Sequence, residues 1–240
     1  MIRQPPPRPT EHRRSKGGGR WIVIGVALTA LVMAAAALGL PSLRSRGDAS
    51  AARTDVSIGG IRLNFDAGLA RAASDPPGGA VEALDLAAMF PDFSPAGAST
   101  GLTAASDPNA RLERTVFLTI TAAGKDIDPA ERTGKLYGRF LEPEEWSHPG
   151  GLVMRRFVAG SPFEGEDLYL TPPEGKIFAA RCMRPAAAAD GLPDACLHDF
   201  RLGGLNVQLR FSPARLADWE ILTQGARALV TRMRRAAGAA

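Results

Sequence analysis

An uncharged, mainly apolar run occupies residues 21–40 and reads WIVIGVALTALVMAAAALGL. An α-helix rises about 1.5 Å per residue, so a run of this length spans the roughly 30 Å hydrocarbon core of a bilayer. In lipid a helix satisfies its own backbone hydrogen-bonding groups, whereas in water so much apolar surface is costly to expose. The sequence therefore predicts a single transmembrane helix at residues 21–40, with the membrane bilayer as one partner of the chain.

A cleaved signal peptide is the main alternative for this segment. The apolar region of a signal peptide usually has about 7–15 residues and ends at a small-x-small cleavage site. Here the run is longer, Ala34–Ala36 lies inside it, and Ala49–Ala51 follows only after two arginines. We therefore interpret residues 21–40 as an uncleaved signal-anchor.

The charge of the first twenty residues indicates the orientation of the anchor. Residues 1–20 carry six basic side chains and one acidic side chain, Glu11, for a net charge of +5. Basic residues next to a membrane span tend to stay in the cytoplasm. We predict an inner (cytoplasmic) membrane protein with its N-terminus inside and its C-terminal domain in the periplasm of a Gram-negative bacterium.

The same charges argue against nucleic-acid binding. The whole chain has a formal net charge of +4 and a pI near 9.5, but without residues 1–20 the net charge is −1. The basic character thus belongs to the predicted cytoplasmic tail and not to a folded binding surface. No nucleic-acid partner is expected.

Composition divides the chain into four parts. Residues 1–20 are rich in Pro, Gly and charge, which is typical of a disordered tail. Residues 41–55 are small and polar, as in a stalk linker that follows the span. Residues 56–240 are long enough for one extracytoplasmic domain with a single core.

Cys182 and Cys196 are the only cysteines of the chain. An even cysteine count in an oxidising compartment favours a disulfide. Thirteen residues separate the two, so they lack the short spacing of zinc sites and of Cys-x-x-Cys redox motifs. The sequence predicts a structural disulfide between Cys182 and Cys196, and neither a metal nor a cofactor.

Alternating apolar residues predict β-strands, most clearly at residues 61–65, 116–121 and 206–211. Weaker predicted strands, flanked by turn residues, lie at 152–158, 168–171, 177–183 and 196–202. Asp128-Pro129 and Ser212-Pro213 are typical helix starts. They predict one helix to about Phe140 and a long C-terminal helix, and a third short helix is expected near residues 81–89. The fold class is α+β: an N-terminal transmembrane helix and an antiparallel meander sheet packed by the long C-terminal helix.

An acidic segment after the middle helix is the candidate binding loop, and it contains Glu142, Glu144, Glu145, Trp146 and His148. Carboxylates beside a histidine and an aromatic ring occur in acid–base and metal sites. A solvated loop is the alternative, because charged side chains are mostly exposed. The other histidine of the domain, His198, is expected at the surface or at a rim.

No nucleophile elbow, phosphate-binding loop, dinucleotide fingerprint or zinc-protease motif occurs in the sequence. The favoured hypothesis is a non-enzymatic, single-pass envelope protein whose periplasmic domain binds a protein partner or supports envelope assembly. The alternative is a membrane-anchored hydrolase that acts on an envelope polymer through residues 142–148. Small residues within 25–39 also suggest a homo-oligomer formed through the transmembrane helix.

Overall fold

A computed structural model describes residues 52–71, 78–96, 107–185 and 195–238. The predicted tail, the predicted span and most of the predicted stalk lie outside these residues. Among the described helices none is both long and apolar enough to cross a membrane.

A nine-stranded antiparallel sheet forms the centre of the fold. Its strands, in spatial order, are β5 (Ser94–Pro95), β4 (Ala83–Met89), β6 (Thr115–Ala122), β12 (Leu205–Phe211), β11 (Cys196–Leu202), β10 (Ala179–Met183), β9 (Glu166–Leu170), β8 (Leu152–Arg156) and β7 (Trp146–His148). From β12 back to β7 every strand pairs with its neighbour in sequence. This part of the sheet is the predicted meander.

A second sheet contains β2 (Ile61–Asp66), β1 (Arg53–Ile58) and β3 (Gly79–Ala80), in that spatial order. β1 and β2 form a hairpin, and β3 runs parallel to β1. Apolar side chains of the hairpin join the same core as the large sheet: Val56, Ile58, Leu63 and Phe65. β1 thus begins three residues before the domain boundary that composition suggests.

Two α-helices complete the described part, α1 (Pro108–Arg114) and α2 (Trp219–Gly238). A 3-10 segment at Pro213–Asp218 leads into α2, and the Ser212 hydroxyl caps it by accepting the amide of Ala214 at 3.3 Å. The helix lies beside β2 and buries apolar side chains in the main core: Leu222, Ala226, Leu229 and Met233. The long C-terminal helix is therefore confirmed.

The middle helix is helical but irregular. It comprises a 3-10 turn at Pro129–Glu131, a π-helical turn at Thr133–Tyr137 and a 3-10 turn at Gly138–Phe140. The Asp128 carboxylate caps it by accepting the amide of Ala130 at 3.0 Å, as the sequence indicates. This segment forms a second, smaller core with β9 and with the residues that follow the segment and β8: Tyr137, Leu141, Phe157, Leu168 and Leu170.

The mixed α+β class, the large antiparallel sheet and the long C-terminal helix are thus confirmed. The short helix expected near residues 81–89 is wrong, because Ala83–Met89 is strand β4. Its burial alternates, with Leu84, Leu86 and Ala88 inside, so its period is two and not the 3.6 of a helix.

The predicted disulfide is present in the structure. Cys182 on β10 and Cys196 on β11 are direct cross-strand neighbours, with their Cα atoms 4.0 Å apart. Both are buried in the main core. The bond joins two central strands across the long connection between them.

Replacing both cysteines by serine is expected to lower the free energy of unfolding by about 3 kcal/mol, because the unfolded chain loses a closed loop of this size. Urea unfolding of the oxidised protein and of Cys182→Ser/Cys196→Ser measures the difference. Dithiothreitol should destabilise the unsubstituted protein to the level of the variant and leave the variant unchanged. Equal stability of the oxidised and substituted proteins would contradict a stabilising disulfide.

Candidate functional site

One row of side chains crosses eight strands on a single face of the large sheet. Each member is the cross-strand neighbour of the next, in this spatial order: Leu86, Leu118, Leu209, His198, Ala180, Tyr169, Met154 and Trp146. The first five are buried in the main core, to which α2 contributes. Tyr169 and Met154 are half-buried, and Trp146 is 36% exposed. The apolar face of the sheet therefore continues beyond the core and ends in solvent at Trp146.

The exposed end of this row carries an aromatic–cation pair. The guanidinium carbon of Arg156 lies 4.9 Å from the centre of the Trp146 ring. Arg156 lies two residues after Met154 on β8, so the two side chains are on the same face of the sheet as Trp146. The contact holds a large aromatic side chain beside a charge while both remain accessible to solvent.

His148 lies on the same face and completes this surface. Its ring meets that of Tyr169 edge-on at 4.9 Å, and its Nδ1 is 3.0 Å from the carbonyl oxygen of Pro149. We define the Trp146 surface as the side chains that share this end of the sheet face: Trp146, His148, Met154, Arg156 and Tyr169. Of the sequence-predicted loop, it contains Trp146 and His148.

None of the three predicted carboxylates is among the side chains that define this surface. Glu144 and Glu145 are exposed, and Glu145 lies 3.7 Å from Arg155. The backbone amide of Glu142 donates a hydrogen bond to the carbonyl oxygen of Arg156, and the carbonyl oxygen of Glu142 accepts one from the Arg155 guanidinium. Glu145 is thus paired with Arg155, whereas the Glu142 carboxylate is near enough to the buried Asp167 to raise the pKa of that group.

Asp167 is a buried carboxylate next to the Trp146 surface and faces Arg156 in the register of β8 and β9. Burial raises the pKa of Asp167 above its usual value, although Arg184 and Arg156 act in the opposite direction. Its Oδ1 lies 3.5 Å from Nε of Arg184. Asp167 thus places a buried carboxyl group beside Arg156 of this surface.

The β7–β8 hairpin is attached to the start of α2. The indole N–H of Trp219 donates to the carbonyl oxygen of Gly150 in the hairpin turn, at 2.9 Å. Gly150 has a φ of +82°, and a Cβ there would lie 2.9 Å from the carbonyl oxygen of Ala217. The turn therefore requires glycine for its backbone conformation and for its close approach to the 3-10 segment.

His198 lies inside the core, in the middle of the row, and is only 3% exposed. The expectation of a surface or rim histidine was wrong, because its neighbours across the strands all belong to the buried face. Its Nδ1 donates to the carbonyl oxygen of Ala179 at 2.9 Å, whereas Nε2 has no hydrogen-bond partner. Phe178 lies 4.5 Å from its ring, centre to centre.

Burial lowers the pKa of His198 to about 4, and Arg227 on α2 lowers it further, against the opposing effects of the Ala179 hydrogen bond and Asp199. The histidine is therefore neutral at pH 7. The Arg227 guanidinium packs over the neighbouring Phe200 ring at 4.3 Å. Because Phe200 is on β11 and Arg227 is on α2, this contact links the sheet to α2.

Within the described residues, no group of three or more His, Cys, Asp or Glu side chains is arranged to hold a metal ion. The residues that sequence reasoning missed are Met154, Arg156 and Tyr169. Alternation along β8 and β9 assigns each residue to a face. Only the pairing of β7 with β8 places them beside Trp146.

No protein-family model matches the chain, and no curated protein matches it by sequence. The chain is similar in fold to a solved structure. An immunity protein of the Stenotrophomonas maltophilia type IV secretion system is similar with a TM-score of 0.53 and 15% identity, over 76% of this chain and 93% of that protein. An iron-regulated outer membrane lipoprotein of Neisseria meningitidis gives a TM-score of 0.45 and 11% identity, over 76% and 92%. At 15% identity the first likeness concerns the fold alone.

Gly150→Ala should destabilise the protein more than Gly151→Ala. Both glycines have positive φ, which costs an alanine about 1–2 kcal/mol, but no atom lies within 4 Å of a Cβ at Gly151. We expect the free energy of unfolding to fall by at least about 1 kcal/mol more in Gly150→Ala than in Gly151→Ala, because the added Cβ at residue 150 collides with the Ala217 backbone. Urea unfolding of the two variants tests this. Equal losses of unfolding free energy would show that the hairpin turn is not in close contact with the 3-10 segment.

His198 should make the protein less stable in acid. The folded pKa of about 4 lies below the ordinary histidine pKa of 6.5, so only the unfolded chain takes up this proton between those pH values. The free energy of unfolding should therefore fall as the pH drops from 6.5 to 4, by about 1.4 kcal/mol per pH unit from this group.

Urea unfolding of the unsubstituted protein and of His198→Phe between these pH values measures the contribution. The phenylalanine does not titrate, so its pH slope should be smaller. Val207→Ala is the matched control, because it removes buried apolar volume and should lower stability by the same amount at each pH. Identical slopes for the unsubstituted protein and His198→Phe would refute this assignment.

Proposed function

We propose that this chain is a single-pass, membrane-anchored envelope protein whose C-terminal domain binds a protein partner through the Trp146 surface. The observation that carries the proposal is the row of side chains that leaves the core and ends in solvent at Trp146. A sheet face that remains apolar beyond its own core offers area that a partner can cover.

The composition of the surface supports protein recognition. Interfaces are enriched in aromatic residues, methionine and arginine, and the residues that contribute most to affinity are commonly Trp, Tyr and Arg. The Trp146 surface combines Trp146, Tyr169, Met154 and Arg156 on neighbouring strands. The hydrogen bond from Trp219 to Gly150 holds the hairpin in place before binding. A preorganised surface loses less entropy when a partner binds.

Three observations support the envelope location. Residues 21–40 have the length and composition of a membrane span, and the basic tail favours an N-terminus in the cytoplasm. The Cys182–Cys196 bond suits an oxidising compartment such as the periplasm. A protein of similar fold is an immunity protein of a secretion system and not an enzyme, which is consistent with a non-enzymatic envelope protein. A homo-oligomer formed through residues 21–40 stays a prediction.

In-cell crosslinking of the natively expressed full-length protein tests the proposal. Mass spectrometry should identify a specific envelope protein that copurifies with the unsubstituted chain. Trp146→Ala should reduce its recovery by tenfold or more, because truncating a central interface tryptophan commonly costs about 2 kcal/mol or more.

Ile221→Ala is the matched control, since Ile221 is 52% exposed but lies on α2. It should leave the recovery of the partner unchanged. Recovery that is equal for Trp146→Ala and the unsubstituted chain would refute binding at the Trp146 surface. The absence of any partner above background would contradict the binding function itself.

A further inference from the structure

The opposite face of the large sheet contains a second feature, a cavity of about 660 Å³ beside α1. We call it the Phe117 cavity and define it by the lining residues that matter here: Arg71, Leu112, Phe117, Arg210, Phe211 and Pro213. Phe117 alternates with the buried Val116 and Leu118, so its ring lies on the face turned away from α2. The cavity is therefore separate from the Trp146 surface.

The apolar part of the lining comes from three elements. Phe117 on β6 is half-buried, Leu112 on α1 is 39% exposed, and Pro213 begins the 3-10 segment. An exposed leucine opposite an aromatic ring leaves apolar area in contact with water. An apolar ligand would remove that area from water at roughly 25 cal/mol per Å².

Two arginines lie beside this apolar lining. The guanidinium carbon of Arg71 is 5.1 Å from the centre of the Phe117 ring, and Arg210 is the direct cross-strand neighbour of Phe117. Arg210 is exposed, and no described carboxylate lies within ion-pair distance of it. Glu113 also lines the cavity.

We propose that the Phe117 cavity binds a single-chain amphipathic carboxylate of the fatty-acid class. The carboxylate pairs with Arg210, because guanidinium and carboxylate groups form paired, charge-assisted hydrogen bonds. The acyl chain lies against Phe117, Leu112 and Pro213. The volume falls within the range of about 300–1,000 Å³ that is usual for sites of single small ligands. This proposal does not depend on the protein partner proposed above.

Photolabelling in cells that express the full-length protein tests the proposal. The probe is a fatty acid that carries a photoactivatable diazirine on its chain and a terminal alkyne for enrichment. Peptide mapping should find a labelling maximum at residues 109–117 or 210–214, and excess oleate should abolish it. Arg210→Gln should reduce labelling by about tenfold, because a charge-assisted bond is lost.

Two further variants separate binding from folding. Arg232→Gln is the matched control, since Arg232 is exposed on α2 and does not line the cavity, and its labelling should be unchanged. Leu112→Trp fills the cavity from the surface and should abolish labelling at an unchanged melting temperature. Trp146→Ala should not alter labelling, so this test and the partner test can fail independently.

Several results would overturn the proposal. One is labelling spread along the chain, or centred on residues 21–40, without a maximum at the cavity. A second is a maximum that resists oleate or persists in Arg210→Gln. A third is labelling by a diazirine phospholipid but not by the fatty acid, which would assign the cavity to a two-chain lipid.

Discussion

The architecture depends on how the two faces of one large sheet are covered. The face with Leu118 and Leu209 is buried in the core with α2, whereas the face with Leu168 is covered by residues 129–140 at the other end. Within the described chain neither layer extends over its whole face, since Trp146 on one face and Phe117 on the other are not buried. Apolar side chains therefore reach solvent at diagonally opposite ends, at Trp146 and at Phe117. Both candidate sites are consequences of this diagonal coverage.

The start of α2 couples the helix to one of these ends. Trp219 packs on Phe178 at 5.3 Å between ring centres and also donates its indole N–H to Gly150. Phe178 in turn lies against His198, at the centre of the buried row. The hairpin that carries Trp146 is thus supported by the same aromatic stack that fixes α2 on the sheet. The position of the exposed surface is set by the packing of the core and not by the hairpin alone.

Local sequence signals predicted the elements that depend on local chemistry. The alternation in β6 and β12, the Ser212-Pro213 start of α2 and the cysteine pair were sufficient for their prediction. Non-local contacts explain the failures. β4 is rich in alanine and is a strand because it pairs along its whole length with β6, and His198 is buried because its cross-strand neighbours are apolar. The sequence marked Trp146, but pairing of β7 and β8 was needed to place Arg156 beside it.

The short edge strands of the large sheet have a further consequence. β5 has two residues, one of them a proline without an amide proton, and β7 has three. A long, unpaired edge is a template on which other chains add strands and aggregate. Here neither edge offers enough consecutive backbone donors and acceptors for such growth. Strand addition at the β5 and β7 edges of the nine-stranded sheet is therefore disfavoured, and the proposed recognition uses side chains on the sheet faces.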